Sequence, residues 1–137
     1  MAQDRHTLRQ IVVQTIFAWE FHDGDPVQIL SYNLVNGAPS VTDNTFGYRL
    51  LDLVMKNRKK IKEKIAKHAP EWPFEKIAPI DRAILELSVA ELLFDKEIPD
   101  LVAINEGIEL AKEFGTESSP KFVNGVLSSI YEKVKPA

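Results

Sequence analysis

The residues best equipped for chemistry lie in one run near the end of the chain, Ser118-Ser119-Pro120-Lys121-Phe122-Val123-Asn124-Gly125-Val126-Leu127. Ser119 followed by Pro120 opens a helix whose first turn has N–H groups with no carbonyl partner, and such a terminus favours an anion. Lys121 adds charge, Asn124 carries an amide able to read base edges one turn further on, and the Phe122 ring can stack on a base. Without a ligand, Phe122 is simply one member of an apolar stripe shared with Val126 and Ile130. A smaller cluster, Arg5, His6 and Arg9, lies near the start of the chain. Arg5 and Arg9 are one helical turn apart, so from the polar side of a helix both guanidinium groups reach adjacent phosphates or base edges. By composition alone, two arginines near a chain end are ordinary surface charge.

Other candidates for chemistry are weaker. The stretch from Lys56 to Lys67 is rich in lysine, with Ile61 and Ile65 as its inward anchors and no interleaved aromatic. That pattern describes an exposed, solubilising helix face on which phosphate contact is unspecific. Glu86, Glu91, Glu106, Glu109 and Glu113 stand at helical spacings typical of a solvated acidic face rather than an acid-base pair. The three histidines, His6, His22 and His68, fall in different segments without a helical ligand partner, so no metal site is expected. No glycine precedes a lysine in the phosphate-loop pattern and no serine sits in a nucleophile elbow, so the expected protein is not an enzyme and needs no cofactor.

Helices must position these groups. From Asp4 to Phe21, Leu8, Ile11, Val12, Thr15, Ile16 and Trp19 recur at three- and four-residue steps, which predicts a first helix with one buried face. Turn formers from His22 to Pro26 follow, with Asp25 as N-cap of a second helix running to about Val35. After the break at Asn36 to Ser40, Thr42 or Asp43 can cap a stripe of Phe46, Leu50, Leu53 and Val54 that continues through Ile61 and Ile65 as two helices or one bent one. Prolines 70, 73 and 79 enforce an irregular connection around Trp72, with room for one helical turn from Phe74 to Ile77. Ile80 to Asp95 is apolar on most sides and reads as a central helix. Another helix begins at Pro99 and ends at Gly115, the expected left-handed stop, and the last opens at Ser119-Pro120. Gly107 and Gly125 fall inside helices, where a close helix crossing or backbone approach would offset the penalty.

The bulk composition agrees. A chain of 137 residues with 45% hydrophobic and 27% charged side chains suits one all-α domain spanning residues 1–137. No cysteine is present, which removes disulfides and thiolate chemistry and makes the cytoplasm the expected compartment. No apolar run reaches the length of a bilayer span, so no membrane role is expected. The net charge of -3 hides segregation: Arg49 to Lys67 holds eight basic and two acidic residues, whereas Ala69 to Ala137 holds seven basic and thirteen acidic ones.

Taken in order and spacing, Pro79-Ile80-Asp81-Arg82-Ala83-Ile84-Leu85-Glu86-Leu87, Ala90-Glu91-Leu92-Leu93, Ile98 through Lys112, and Lys121-Phe122-Val123-Asn124-Gly125-Val126-Leu127 resemble the C-terminal signature of the NusB family. Gln14 and Trp19 fit its first helix. The resemblance implies a fold of two packed helical subdomains and transcription antitermination. The expected partners are the single-stranded boxA element of nascent ribosomal RNA, the small-subunit ribosomal protein NusE, other Nus factors and RNA polymerase. It places RNA near Arg5, His6, Arg9, Gln14, Lys121, Phe122 and Asn124, and partner binding at Asp81. The first helix departs from the family pattern: Thr7 and Leu8 interrupt the basic residues, and Phe17 lacks a hydroxyl. RNA binding is therefore expected to be weak alone and stronger with NusE. The alternatives are a protein-interaction module of the same fold without its own RNA-reading surface, and a homodimer that hides that surface.

Overall fold

A computed structural model describes residues 2–69 and 71–134, and in it seven helices form with no strand among the described residues. Helix α1 (Ala2–His22) buries Leu8, Ile11, Val12, Val13 and Ile16. It ends at two residues with positive φ, Asp23 and Gly24, types that tolerate the left-handed region. The Trp19 indole N–H ties the turn down by donating to the Gly24 carbonyl at 3.1 Å. Helix α2 (Pro26–Gly37) starts as expected, with the Asp25 side chain accepting the Val27 N–H. The stripe that follows is split: α3 (Thr45–Lys56) and α4 (Arg58–His68) meet at Asn57, whose backbone and side-chain N–H groups both donate to the Leu53 carbonyl. The Asp43 carboxylate receives the Thr45 N–H at the start of α3.

After a single 3₁₀ turn at Phe74–Lys76 comes α5 (Pro79–Phe94), buried from Ala83 to Leu92. It packs on α1 and α3 of an N-terminal group, which also contains α2, and on α4, α6 and α7 of a C-terminal group. An axis surrounded by both groups has no solvent face, which is why its apolar residues follow no single stripe. Helix α6 (Asp100–Phe114) crosses α5 at Gly107, where a Cβ would fall 2.8 Å from Leu127 and closer still to the Ser88 hydroxyl. The expected close crossing is real there. Gly115 corrects an expectation: its backbone is extended (φ -91, ψ -165), not left-handed. Its small size is what the turn requires, because a Cβ would collide with Ser119 and lie 2.8 Å from the Ala111 carbonyl oxygen. Helix α7 (Ser119–Val134) completes the bundle, and the buried Ser119 hydroxyl accepts the Thr116 N–H at 2.9 Å. No helix among the described residues is long and apolar enough to cross a membrane.

Candidate nucleic-acid interface

The two clusters picked out by residue type occupy different places, and their side chains are in different states. Of the site residues expected on α1, only Arg5 and Gln14 are exposed. Arg9 is 3% exposed, a correction to its expected place on the polar side of the helix. Its Nε and Nη2 donate to the Glu91 carboxylate at 2.8 to 3.1 Å, and Nη1 lies 3.3 Å from Glu106. Burial pushes the Glu91 carboxyl up, and the Arg9 guanidinium opposes that shift. A guanidinium buried and held bidentate in the core is not presented to a phosphate in solvent. His6 bridges two carboxylates of α6, with Nδ1 2.8 Å from Glu106 and Nε2 2.8 Å from Glu113. Partial burial works against its charge, but the hydrogen bonds and charges of those two glutamates outweigh it and raise its pKa above 6.5. Gln10 donates to the same Glu113.

Arg5 stacks on the Phe46 ring, its guanidinium carbon 4.4 Å from the centroid, and Arg9 and Arg49 approach the same ring at 5.0 and 5.2 Å. Arg49 in turn pairs with the buried Asp95 at 2.6 Å. A phenylalanine ringed by three guanidiniums holds them by cation–π attraction and leaves Arg5 as the exposed member. Phe46 and Arg49 were invisible as site residues in the sequence, because only the packing of α3 on α1 brings them beside Arg5.

The acidic residues also depart from the solvated face expected of them. Glu86 is fully buried and accepts from the Arg58 Nε at 2.9 Å, while Glu20 holds Arg58 at 3.9 Å and Arg82 at 3.2 Å. Burial pushes Glu86 up, opposed by Arg58. Arg58, counted by sequence with the lysine-rich face, is thus an internal tie between α4, α5 and α1. Glu109 and Glu113 are exposed, as expected.

The start of α7 carries no ion pair among the described residues, although the Asn124 Oδ1 accepts the Ser128 hydroxyl at 2.9 Å within the helix. Lys121 and Asn124 are exposed, and Phe122 is half-buried against the core. Beside them the connection between α4 and α5 projects Trp72, 55% exposed. Trp72, Phe122 and Ser118 line two adjoining grooves. One, of about 420 Å³, runs over Gly125 and Val126 to His68. The other, of about 350 Å³, runs past Lys76 to Asp81. Asp81 is 9% exposed, and its Oδ1 has no hydrogen-bond partner. Burial pushes its carboxyl up and the Ser119 hydroxyl draws it back. Two aromatic faces, a cation and a buried acceptor around an open groove suit an unstacked nucleobase with its phosphate. Sequence reading named Lys121, Phe122, Asn124 and Asp81 but missed Trp72 and Lys76. An exposed tryptophan in a proline-interrupted connection was the available signal. Among the described residues no group of three acidic or histidine side chains could hold a metal.

A model of the NusB family matches residues 6–132. The chain is 41% identical over 126 residues to the transcription antitermination protein NusB of Bacillus licheniformis, covering 92% of this chain and 95% of that one. Its identity to the protein of the same name from Bacillus pumilus is 38% over 133 residues, covering 96% and 97%. Among solved structures it is similar to T. maritima NusB, with a TM-score of 0.83 at 35% identity over 94% of this chain and 91% of that one. Its fold is also that of a chain in a crystal structure of the antitermination factors NusB and NusE in complex with dsRNA, with a TM-score of 0.86 at 24% identity over 97% and 99%.

Proposed function

The chain belongs to the NusB family of transcription antitermination proteins, and from that premise we propose that it acts as an RNA-binding adaptor in the cytoplasm. It binds boxA-type single-stranded RNA of nascent ribosomal transcripts together with NusE and joins other Nus factors on RNA polymerase. It works by binding and not by catalysis. The observation that carries this reading is the uncommitted aromatic and cationic surface at the start of α7, where Lys121, Phe122 and Trp72 face open grooves. Lys121, Phe122 and Asn124 contact RNA directly, and Arg5 with Gln14 adds a second contact along α1. His6 and Arg9 act through α1: their ties to Glu91, Glu106 and Glu113 hold Arg5 in place. Asp81 serves as an acceptor for RNA or for NusE.

Few exposed cations stand at the α1 contact and at the start of α7, so few counterions are released there, binding to the boxA-type RNA alone is weak with a shallow salt dependence, and NusE strengthens it. The internal commitment of Arg9 and His6 favours a second reading, a protein-interaction module without its own RNA-reading surface. Fluorescence anisotropy of a labelled boxA-type RNA, with and without NusE at two salt concentrations, decides between them. Binding that NusE enhances and Lys121→Ala weakens is the expected result. No binding in any mixture leaves protein interaction alone, and a tight NusE-independent complex at physiological salt overturns the partner dependence. Light scattering with and without RNA tests for a homodimer that masks the surface.

A further inference from the structure

Gly125 has no structural reason within the chain to be glycine. It lies in the middle of α7, where glycine is costly because it leaves the backbone freer in the unfolded chain than any other residue. Among the described residues a Cβ built there meets nothing within 4 Å, in contrast to Gly107, which the α5–α6 crossing requires. The expected close approach of another helix at Gly125 is therefore absent. What the missing side chain does is keep open the floor of the larger groove, walled by Trp72 and Phe122 and running to His68.

The charges at the two ends of this groove are of one kind. Lys121 stands at the α7 end. At the other, His68 follows Lys67 and lies one turn beyond Lys64 on α4, and its Nδ1 is 2.8 Å from the Ser129 hydroxyl on α7, one turn before Lys133; burial and then these three cations lower its pKa. Lys56 and Lys112 pair with Asp52 and Glu109, but no carboxylate of a described residue lies in ion-pair distance of Lys64, Lys67, Lys121 or Lys133. Glu71, exposed on the rim, is the one carboxylate in the lining. A groove with aromatic walls, an open backbone floor and unpaired lysines at both ends complements a strand that alternates flat bases with phosphates.

We propose that the RNA path continues beyond the start of α7, laying a base between Trp72 and Phe122 over Gly125 and carrying the following phosphates onto Lys64, Lys67 and Lys133. The lysine-rich segment thereby becomes part of the footprint. This rests on the RNA-binding reading above.

The test compares a minimal boxA-type RNA with versions extended by several nucleotides at either end, each bound to the full-length protein with NusE present. Extension at one end should tighten binding to wild type. Gly125→Leu fills the groove while improving helix propensity, so its Tm should equal or exceed that of wild type. Its affinity for the extended RNA should fall about tenfold, while the minimal RNA binds as before. The Lys64→Gln, Lys67→Gln double variant should lower the salt slope for the extended RNA by roughly 1.4, two phosphates' worth for a single strand. If RNA binds but extension adds nothing and these variants match wild type, the inference fails while the RNA-binding reading stands. If the variants lose NusE instead of RNA, the groove belongs to a protein and the inference fails. If wild type binds RNA of neither length, both readings fail.

Discussion

The two ends of the proposed RNA surface carry similar residue types and use them in opposite ways. At the α1 end, Arg9 and His6 spend their donors on Glu91, Glu106 and Glu113, and Arg49 on Asp95, leaving Arg5 as the exposed cation over Phe46. At the α7 end, Lys121 and Trp72 have no such partners among the described residues and border open grooves. A basic residue's type and spacing therefore announce a charge but not its assignment. Arginine suits the interior pole, since its planar fork binds a carboxylate bidentate while buried, whereas lysine keeps its charge hydrated at the surface.

That contrast breaks first at Arg9. Arg9→Ala strands the buried Glu91 carboxylate and should cost about 3–5 kcal/mol of stability, read by urea unfolding. A loss under 1 kcal/mol would mean that the α1 pole is not held from inside. The opposite pole should respond in binding. Phe122→Ala should weaken RNA by about 1–3 kcal/mol in an anisotropy titration, the range for removing a stacking ring. Unchanged affinity in a folded variant would return Phe122 to the core. Arg5→Ala should reduce the slope of log K against log salt by roughly 0.7, the contribution of one phosphate contact to a single strand, and leave unfolding nearly unchanged.

The smallest effect is the one that pH reports. His6 places both ring nitrogens against carboxylates, an arrangement in which both must donate and the ring must be charged. Its folded pKa is raised above 6.5, so the bridge contributes its full stability below about pH 6.5 and loses it as pH climbs through the higher folded value. Unfolding measured across that window should show a decline for wild type that His6→Gln lacks. An equal decline in both would assign it to another group.

The helices were legible because their signals are local. Asp25 before Pro26 caps α2, the stripe from Leu8 to Ile16 buries one face of α1, and the all-round apolarity of Ile80 to Asp95 marks the axis of the bundle. The family signature from Pro79 to Leu127 placed Lys121, Phe122, Asn124 and Asp81 in the site region for the same reason, since each lies within or beside a contiguous motif. Trp72, Phe46 and Arg49 lie outside those motifs, and the first sits in an irregular connection whose direction no period encodes.

Capping, periodicity and composition act over a few residues, so the order of the helices, the central one among them and the segregation of charge were legible in the chain, while the choice between one bent helix and two from Thr45 to His68 stayed open. Which charges are free was settled by the packing of the helices. Glu86, Glu91 and Arg9 look like surface residues at helical spacing, and they became core ion pairs when α1, α4 and α5 came together. Gly115 and Gly125 likewise acquired their meaning from their surroundings, one from the crowding of Ser119 and the other from the empty groove beside it. Burial is a property of the assembled bundle: whether a guanidinium meets a carboxylate or water depends on residues about eighty positions away in the chain.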